Sequence, residues 1–196
     1  MPRENDYLIR LAGSGWGASA LKALGLPAPV PLARGGTAAP TPLAGKRFLC
    51  LPLPCGFACE MAEATLAALG AETRRVAAPV DAAIDGIVVD ATACTTTGDL
   101  RGLYDVFHPL LTRLARGGRI VVIAAQPAEQ DDPVAAAAAR GIEGFVRALA
   151  KETGKRGVTA NLIQATRAVP AALAGPLRFF CGGGSAYVTG QALAVS

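Results

Sequence analysis

Three cysteines stand close together at Cys50, Cys55 and Cys59, and their spacing could in principle hold a metal ion, although no fourth ligand accompanies them. Cys55 and Cys59 also fall where a helix should begin, a setting that favours a thiolate, against the plainer reading of small apolar filling. Asp90, Thr92, Thr95, Thr96 and Thr97 follow an apolar run. At the end of a buried strand such residues could receive a phosphate, for instance that of a flavin, or they could cap the next helix. Arg74 and Arg75 end a short strand, where a cofactor phosphate or plain solvent could meet them. His108 is the one histidine, so a His-rich metal site is excluded and any His-dependent triad has a single base candidate. That residue lies on a leucine-rich helical stretch and reads as an interface or core residue. Gly15-x-Gly17 has no strand before it and Gly182-Gly183-Gly184 no helix after it, so neither reads as a phosphate loop.

These groups must be positioned by elements that alternate along the chain. Arg47–Leu53, Glu72–Val76, Asp85–Val89, Arg119–Ile123, Gly157–Ile163 and Ala192–Val195 read as strands. The apolar, β-branched run Ile120-Val121-Val122-Ile123 marks a central parallel strand. Helical spacing covers Phe57–Leu69, Leu100–Leu114, Pro133–Gly154 and Ala168–Cys181, with Pro109 expected to bend the second of these. Asp131 and Asp132 before Pro133 read as an N-cap with proline in the first turn. Strand and helix in alternation predict an α/β fold: a three-layer, Rossmann- or flavodoxin-like, doubly wound, mainly parallel sheet of about five or six strands. Residues 1–45 differ, because Pro27, Pro29, Pro31, Pro40 and Pro42 break up any long element. They read as an irregular N-terminal arm with one or two short helical pieces between Leu8 and Leu24, anchored by Tyr7 and Trp16, ahead of a domain over 46–196.

The composition narrows the function. The chain has 196 residues, 52% hydrophobic but only 5% aromatic, and a formal net charge of +4. Its basic residues are scattered, without the charged stripe and interleaved aromatics of a nucleic-acid binder. No apolar run is long enough for a membrane span. The first residues carry charges where a secretory leader would be apolar, so the sequence predicts a soluble, cytoplasmic protein. Five cysteines is an odd number, which in that compartment predicts free or buried thiols.

Three stretches carry a family resemblance. Gly118–Ile123 resembles the fifth strand of the short-chain dehydrogenase/reductases. Gly141–Glu152 followed by Gly157-Val158-Thr159-Ala160-Asn161 resembles that family's active-site helix and sixth strand. Phe179-Phe180 and Ser185–Val195, with Tyr187-Val188-Thr189-Gly190-Gln191, resemble its C-terminal segment. The likeness covers roughly residues 47–195. With the arm included, the pattern is most similar to the leading, degenerate, flavodoxin-like domain of the high-molecular-weight 3-oxoacyl-[acyl-carrier-protein] reductases.

The resemblance implies a reaction whose residues are missing. The family needs a Ser to hold the substrate carbonyl, a Tyr to donate the proton, and a Lys four residues later to lower the Tyr pKa and orient the cofactor ribose. These positions fall on Ala125, Ala135 and Ala139. A methyl group can neither donate a proton nor orient a ribose. Of Tyr7, Tyr104 and Tyr187, none has a Lys four residues on, which disfavours an active reductase with relocated residues. The family's three phosphate-loop glycines fall on Leu53, Phe57 and Cys59; Gly56 alone remains as a turn glycine, and Pro52 and Pro54 remove amide donors. The family's Asn-Asn-Ala-Gly falls on Val89-Asp90-Ala91-Thr92. No catalytic residue, cofactor or metal is therefore expected. The resemblance predicts a non-catalytic pseudo-reductase domain that supports or assembles with a 3-oxoacyl reductase, as a homodimer or in complex with a catalytic domain. Two apolar helices, Leu100–Leu114 and Ile142–Leu149, would offer the exposed pairing face. The alternative is a domain binding a nucleotide, flavin or acyl chain at the sheet's C-terminal edge.

Overall fold

The computed structural model describes residues 7–26, 29–30, 32, 39–53, 56–75, 83–168 and 170–195. Pro54, Cys55 and Val76, which enter the expectations above, lie outside them. Two short helices come first, α1 (Tyr7–Gly13) and α2 (Gly15–Ala23), with the Ser14 hydroxyl accepting from Gly17 N at the start of α2. Tyr7 and Trp16 are 77% and 69% exposed, so they are not the anchors expected of them. Contact with the body is made further along: Leu43 is buried in the core, Val30 and Leu32 lie over Gly157, and Ala39 O accepts from the Arg178 guanidinium.

Among the described residues six strands and four helices follow: β1 (Arg47–Pro52), α3 (Cys59–Ala68), β2 (Glu72–Arg74), β3 (Ile84–Ala91), α4 (Leu100–Leu110), β4 (Leu114–Ala125), α5 (Pro133–Thr153), β5 (Thr159–Ala165), α6 (Ala174–Cys181) and β6 (Ala192–Val195). They form one sheet in the order β2-β1-β3-β4-β5-β6, and every pairing is parallel. From β1 the chain steps outward to β2, then returns to β3 on the other side of β1. That reversal is a topological switch point, beside which open α/β sheets form a crevice at the strands' C-terminal ends.

The period-two pattern divides the core into two layers. Leu49, Leu51, Ile87, Val89, Ile120 and Val122 face α4 and α5. Phe48, Cys50, Val88, Val121, Ile123 and Ile163 face α3 and α6. The central strands β3 and β4 are buried on both sides, as their continuous apolar runs require.

Several boundaries differ from the sequence reading. Leu114 keeps helical spacing with Leu110, yet it begins β4 and pairs with Ile84. Pro109, expected to bend a helix reaching Leu114, lies in the last turn of α4, which ends one residue later at Leu110. Within β4, Gly117 takes a φ of +70°. Beyond Ala168, a 3-10 turn over Pro170–Leu173 precedes α6, since Pro170 suits a first turn better than a helix interior. β5 runs two residues later than expected at each end, and β2 ends at Arg74. At α5, Asp132 accepts from Val134 N at 3.0 Å and Pro133 fills the first turn, as expected. Among the described residues, no helix is long and apolar enough to cross a membrane.

Candidate functional site

The crevice at the switch point is built from the C-terminal ends of β1 and β3 and the start of α3. Leu53 N donates to Asp90 O at 2.8 Å, which ties the two strand ends together. Past Gly56 the chain enters α3, whose first amides have no partner within the helix. The side chain of Asp90 meets them: Oδ2 accepts from Ala58 N at 2.7 Å and Cys59 N at 2.8 Å. Oδ1 accepts from Thr92 N at 3.0 Å and the Thr92 hydroxyl at 2.7 Å. The same hydroxyl accepts from Phe57 N at 3.0 Å. Asp90 is 1% exposed. A buried carboxylate with this many donors is fully satisfied, and the partial positive charge of the α3 N-terminus stabilises it further.

Asp90 and Thr92 thus cap a helix, but it is α3 across the crevice and not the next helix in sequence. Of the neighbouring threonines, Thr95 and Thr96 donate their amides to Asp99 at 3.0 and 2.8 Å, so the loop before α4 closes on itself. Those backbone donors hold the Asp99 carboxyl below its ordinary value.

Gly56 sits against this group. A methyl built on it would lie 2.4 Å from both Asp90 Cγ and Oδ2. The family-derived glycine positions are filled: Leu53 and Cys59 are buried, and Phe57 is half-buried under the Arg167 guanidinium, 5.0 Å from its ring centre. In folds of this type the α3 amides would receive a dinucleotide pyrophosphate. Here a second anion would have to share those amides with a carboxylate already bonded to them. The arrangement does not fit a dinucleotide.

The Cys59 thiol, expected to ionise readily at a helix start, is instead pushed up by burial and by Asp90 beside it. Burial raises Cys50 to about 12 and Cys94 to about 11, and lifts Cys181 as well. All four are free, buried thiols, and among the described residues no group of metal-ligating side chains gathers.

The three alanines lie on two elements. Ala125 ends β4, half-buried, where the chain turns toward Gln126. Ala135 and Ala139 are one turn apart on α5, 5% and 1% exposed, packed inward. His108 is on the exposed side of α4, its ring stacked on Tyr104 with centres 5.0 Å apart, and is not a core residue. Arg75 pairs with Glu63 at 2.5 Å, an exposed edge contact within the chain. The Gly182–Gly184 segment leads into a 3-10 turn, Gly183–Ser185, and Gly182 O accepts from both Arg119 Nε and the Ser185 hydroxyl.

The helices expected to expose an apolar pairing face do not. Leu103, Phe107 and Leu110 of α4, and Ile142, Val146 and Leu149 of α5, are buried against the sheet. What faces outward is a polar-aromatic surface: Arg101 over the half-exposed Tyr104, then His108 on α4, with Arg140 and Arg147 paired to Glu143 on α5. Helical periodicity located the apolar stripe correctly, but the sheet rather than a partner covers it.

Compared with family models, the chain matches none, and it matches no curated protein. Its structure resembles solved short-chain dehydrogenase/reductases. One from Serratia marcescens BCRC 10948 is 20% identical, with a TM-score of 0.60 over 78% of this chain and 96% of that one. A dehydrogenase/reductase from Sinorhizobium meliloti 1021 is 19% identical, with a TM-score of 0.65 over 80% and 95%. At these identities the likeness is one of fold.

Proposed function

We propose that this chain is a non-catalytic domain of the reductase fold, which supports or assembles with a catalytic 3-oxoacyl-[acyl-carrier-protein] reductase. The observation that carries this reading is the Asp90 carboxylate at the start of α3. It supplies from within the chain the negative charge that a cofactor would otherwise bring. The crevice is thereby completed as structure, and α3 is capped without a ligand. Ala125, Ala135 and Ala139 support the same reading, since no proton donor or ribose-orienting group stands at those positions. The polar-aromatic outer surface of α4 and α5 is the surface assigned to assembly, either with a second copy or with the catalytic domain.

The test is light scattering coupled to size-exclusion chromatography. The chain is run alone and with a short-chain reductase encoded beside it, and NADPH oxidation with a 3-oxoacyl thioester is measured in each case. The expected result is no turnover by the chain alone, and a complex that alters the activity of the reductase. Turnover by the chain alone, or no association with reductase or self, overturns the proposal. Tyr104→Glu should weaken the association, because it places a charge in the centre of the assigned surface.

A further inference from the structure

At the opposite end of the sheet from the Asp90 crevice, β4 carries an arginine in an unusual setting where it pairs with Gly86. Arg119 is 6% exposed, yet among the described residues it forms no ion pair. Its Nε donates to Gly182 O at 3.2 Å, and its Nη1 donates to Gly117 O at 2.7 Å and Gly118 O at 3.2 Å. Its Nη2 has no hydrogen-bond partner among the described residues. Carbonyl dipoles orient a guanidinium but do not neutralise it, and a buried charge without a counter-charge is costly. Burial accordingly pulls the Arg119 pKa below its ordinary value.

Arg119 lines a cavity of about 410 Å³. Two other cationic residues, Arg116 and Lys46, line the same space, along with the carboxylate of Asp85. That carboxylate is already engaged on both oxygens, with Lys46 Nζ at 2.9 Å and Arg47 N at 3.0 Å. Among the described residues neither arginine forms an ion pair with a carboxylate. Phe48 and Leu43 are among its apolar lining, and Gly117, Gly118, Gly182 and Gly183 line it without side chains of their own.

We propose that this cavity binds a small organic oxyanion, whose carboxylate or phosphate meets Arg119 and Arg116 and whose apolar part lies on Phe48 and Leu43. Arginine is suited to this because its fixed donors match both head groups. The three bonds to glycine carbonyls hold the guanidinium in place before the anion arrives, which lowers the ordering cost of binding. The Gly182–Ser185 turn has a role in this: it is the clamp on Arg119 Nε. The site is separate from the Asp90 crevice, and the proposal does not depend on the assembly role given above.

The experiment uses the full chain with inorganic phosphate and butyrate as probes, and chloride at equal ionic strength as control. Binding is followed by amide chemical shifts and by calorimetry. Both oxyanions, but not chloride, should shift the amides of Gly117–Arg119 and Gly182–Gly183. Arg119→Met should weaken binding by roughly tenfold or more. Arg116→Gln changes an exposed residue, so it should fold normally and still weaken binding severalfold. A response to phosphate alone or butyrate alone fixes the head group. The absence of a response to both in the wild-type chain, or equal affinity in Arg116→Gln and wild type, overturns the proposal.

Discussion

Gly56 and Asp90 are matched to one another: a methyl group at Gly56 would lie 2.4 Å from the carboxyl carbon of Asp90. The glycine leaves the space the carboxylate needs to reach the amides of Ala58 and Cys59. Gly56→Ala should therefore destabilise by about 2 kcal/mol through overpacking. In an Asp90→Ala background the same change should cost little, giving a coupling of about 1–2 kcal/mol in a urea-unfolding double-mutant cycle. Additive effects would show that the two residues are independent.

Asp90→Ala alone strips the buried start of α3 of its acceptor and leaves three amides, those of Ala58, Cys59 and Thr92, and the Thr92 hydroxyl in need of partners. A loss of about 3 kcal/mol is expected from such a charged, buried hydrogen-bond acceptor. Asp90→Asn keeps one acceptor oxygen and should lose about half as much. Chemical denaturation of the three proteins orders them directly.

Restoring the family's catalytic side chains should fail. Ala135 and Ala139 are packed inward, so Ala135→Tyr with Ala139→Lys forces bulk and a charge into filled space. The double variant, with Ala125→Ser added, should lose about 3 kcal/mol or more of stability. It should still show no NADPH oxidation, because Asp90 continues to hold the α3 amides. Measurable turnover would contradict the argument from Asp90.

Gly86 lies beneath Phe48 in the sheet, and a methyl there would come 2.1 Å from the ring. Gly86→Ala should cost about 1–3 kcal/mol, read as a fall in melting temperature.

Stability should fall at alkaline pH. The folded thiols of Cys50 and Cys94 have pKa values raised from 9.0 to about 12 and about 11. The unfolded chain releases these protons near pH 9, whereas the folded chain retains them. The stabilisation is therefore complete below about pH 9 and is lost as pH climbs toward 12. Thermal melts from pH 8 to 11 should show the decline, and Cys50→Ala should flatten it. At pH 8, alkylation followed by mass spectrometry should find Cys50, Cys94 and Cys181 protected in the native chain.

Much of this was legible in the sequence. Alternation of β-branched runs with amphipathic stretches gave the parallel sheet and its strand number, whereas the strand order came only from the pairings. The assignment of Ala125, Ala135 and Ala139 to the family's catalytic positions rests on the resemblance of the flanking stretches. What could not be read was the partner of Asp90. A cap supplied from another strand leaves no local signature, because the acceptor and its amides stand more than thirty positions apart in the chain. The start of β4 was hidden for a different reason: Leu114 satisfies helical spacing, and only pairing with Ile84 decides against it. The burial of Arg119 without an ion pair among the described residues could not be read either, since it is a tertiary property.

The sheet ends in short strands at both margins, with three residues in β2 and four in β6. Each margin presents only a few unpaired backbone groups to an incoming chain. A sheet bounded in this way is a poor template for strand addition, which protects an all-parallel, alanine-rich protein from edge-to-edge aggregation. It also leaves the helical layers as the surfaces through which copies of the molecule can be joined.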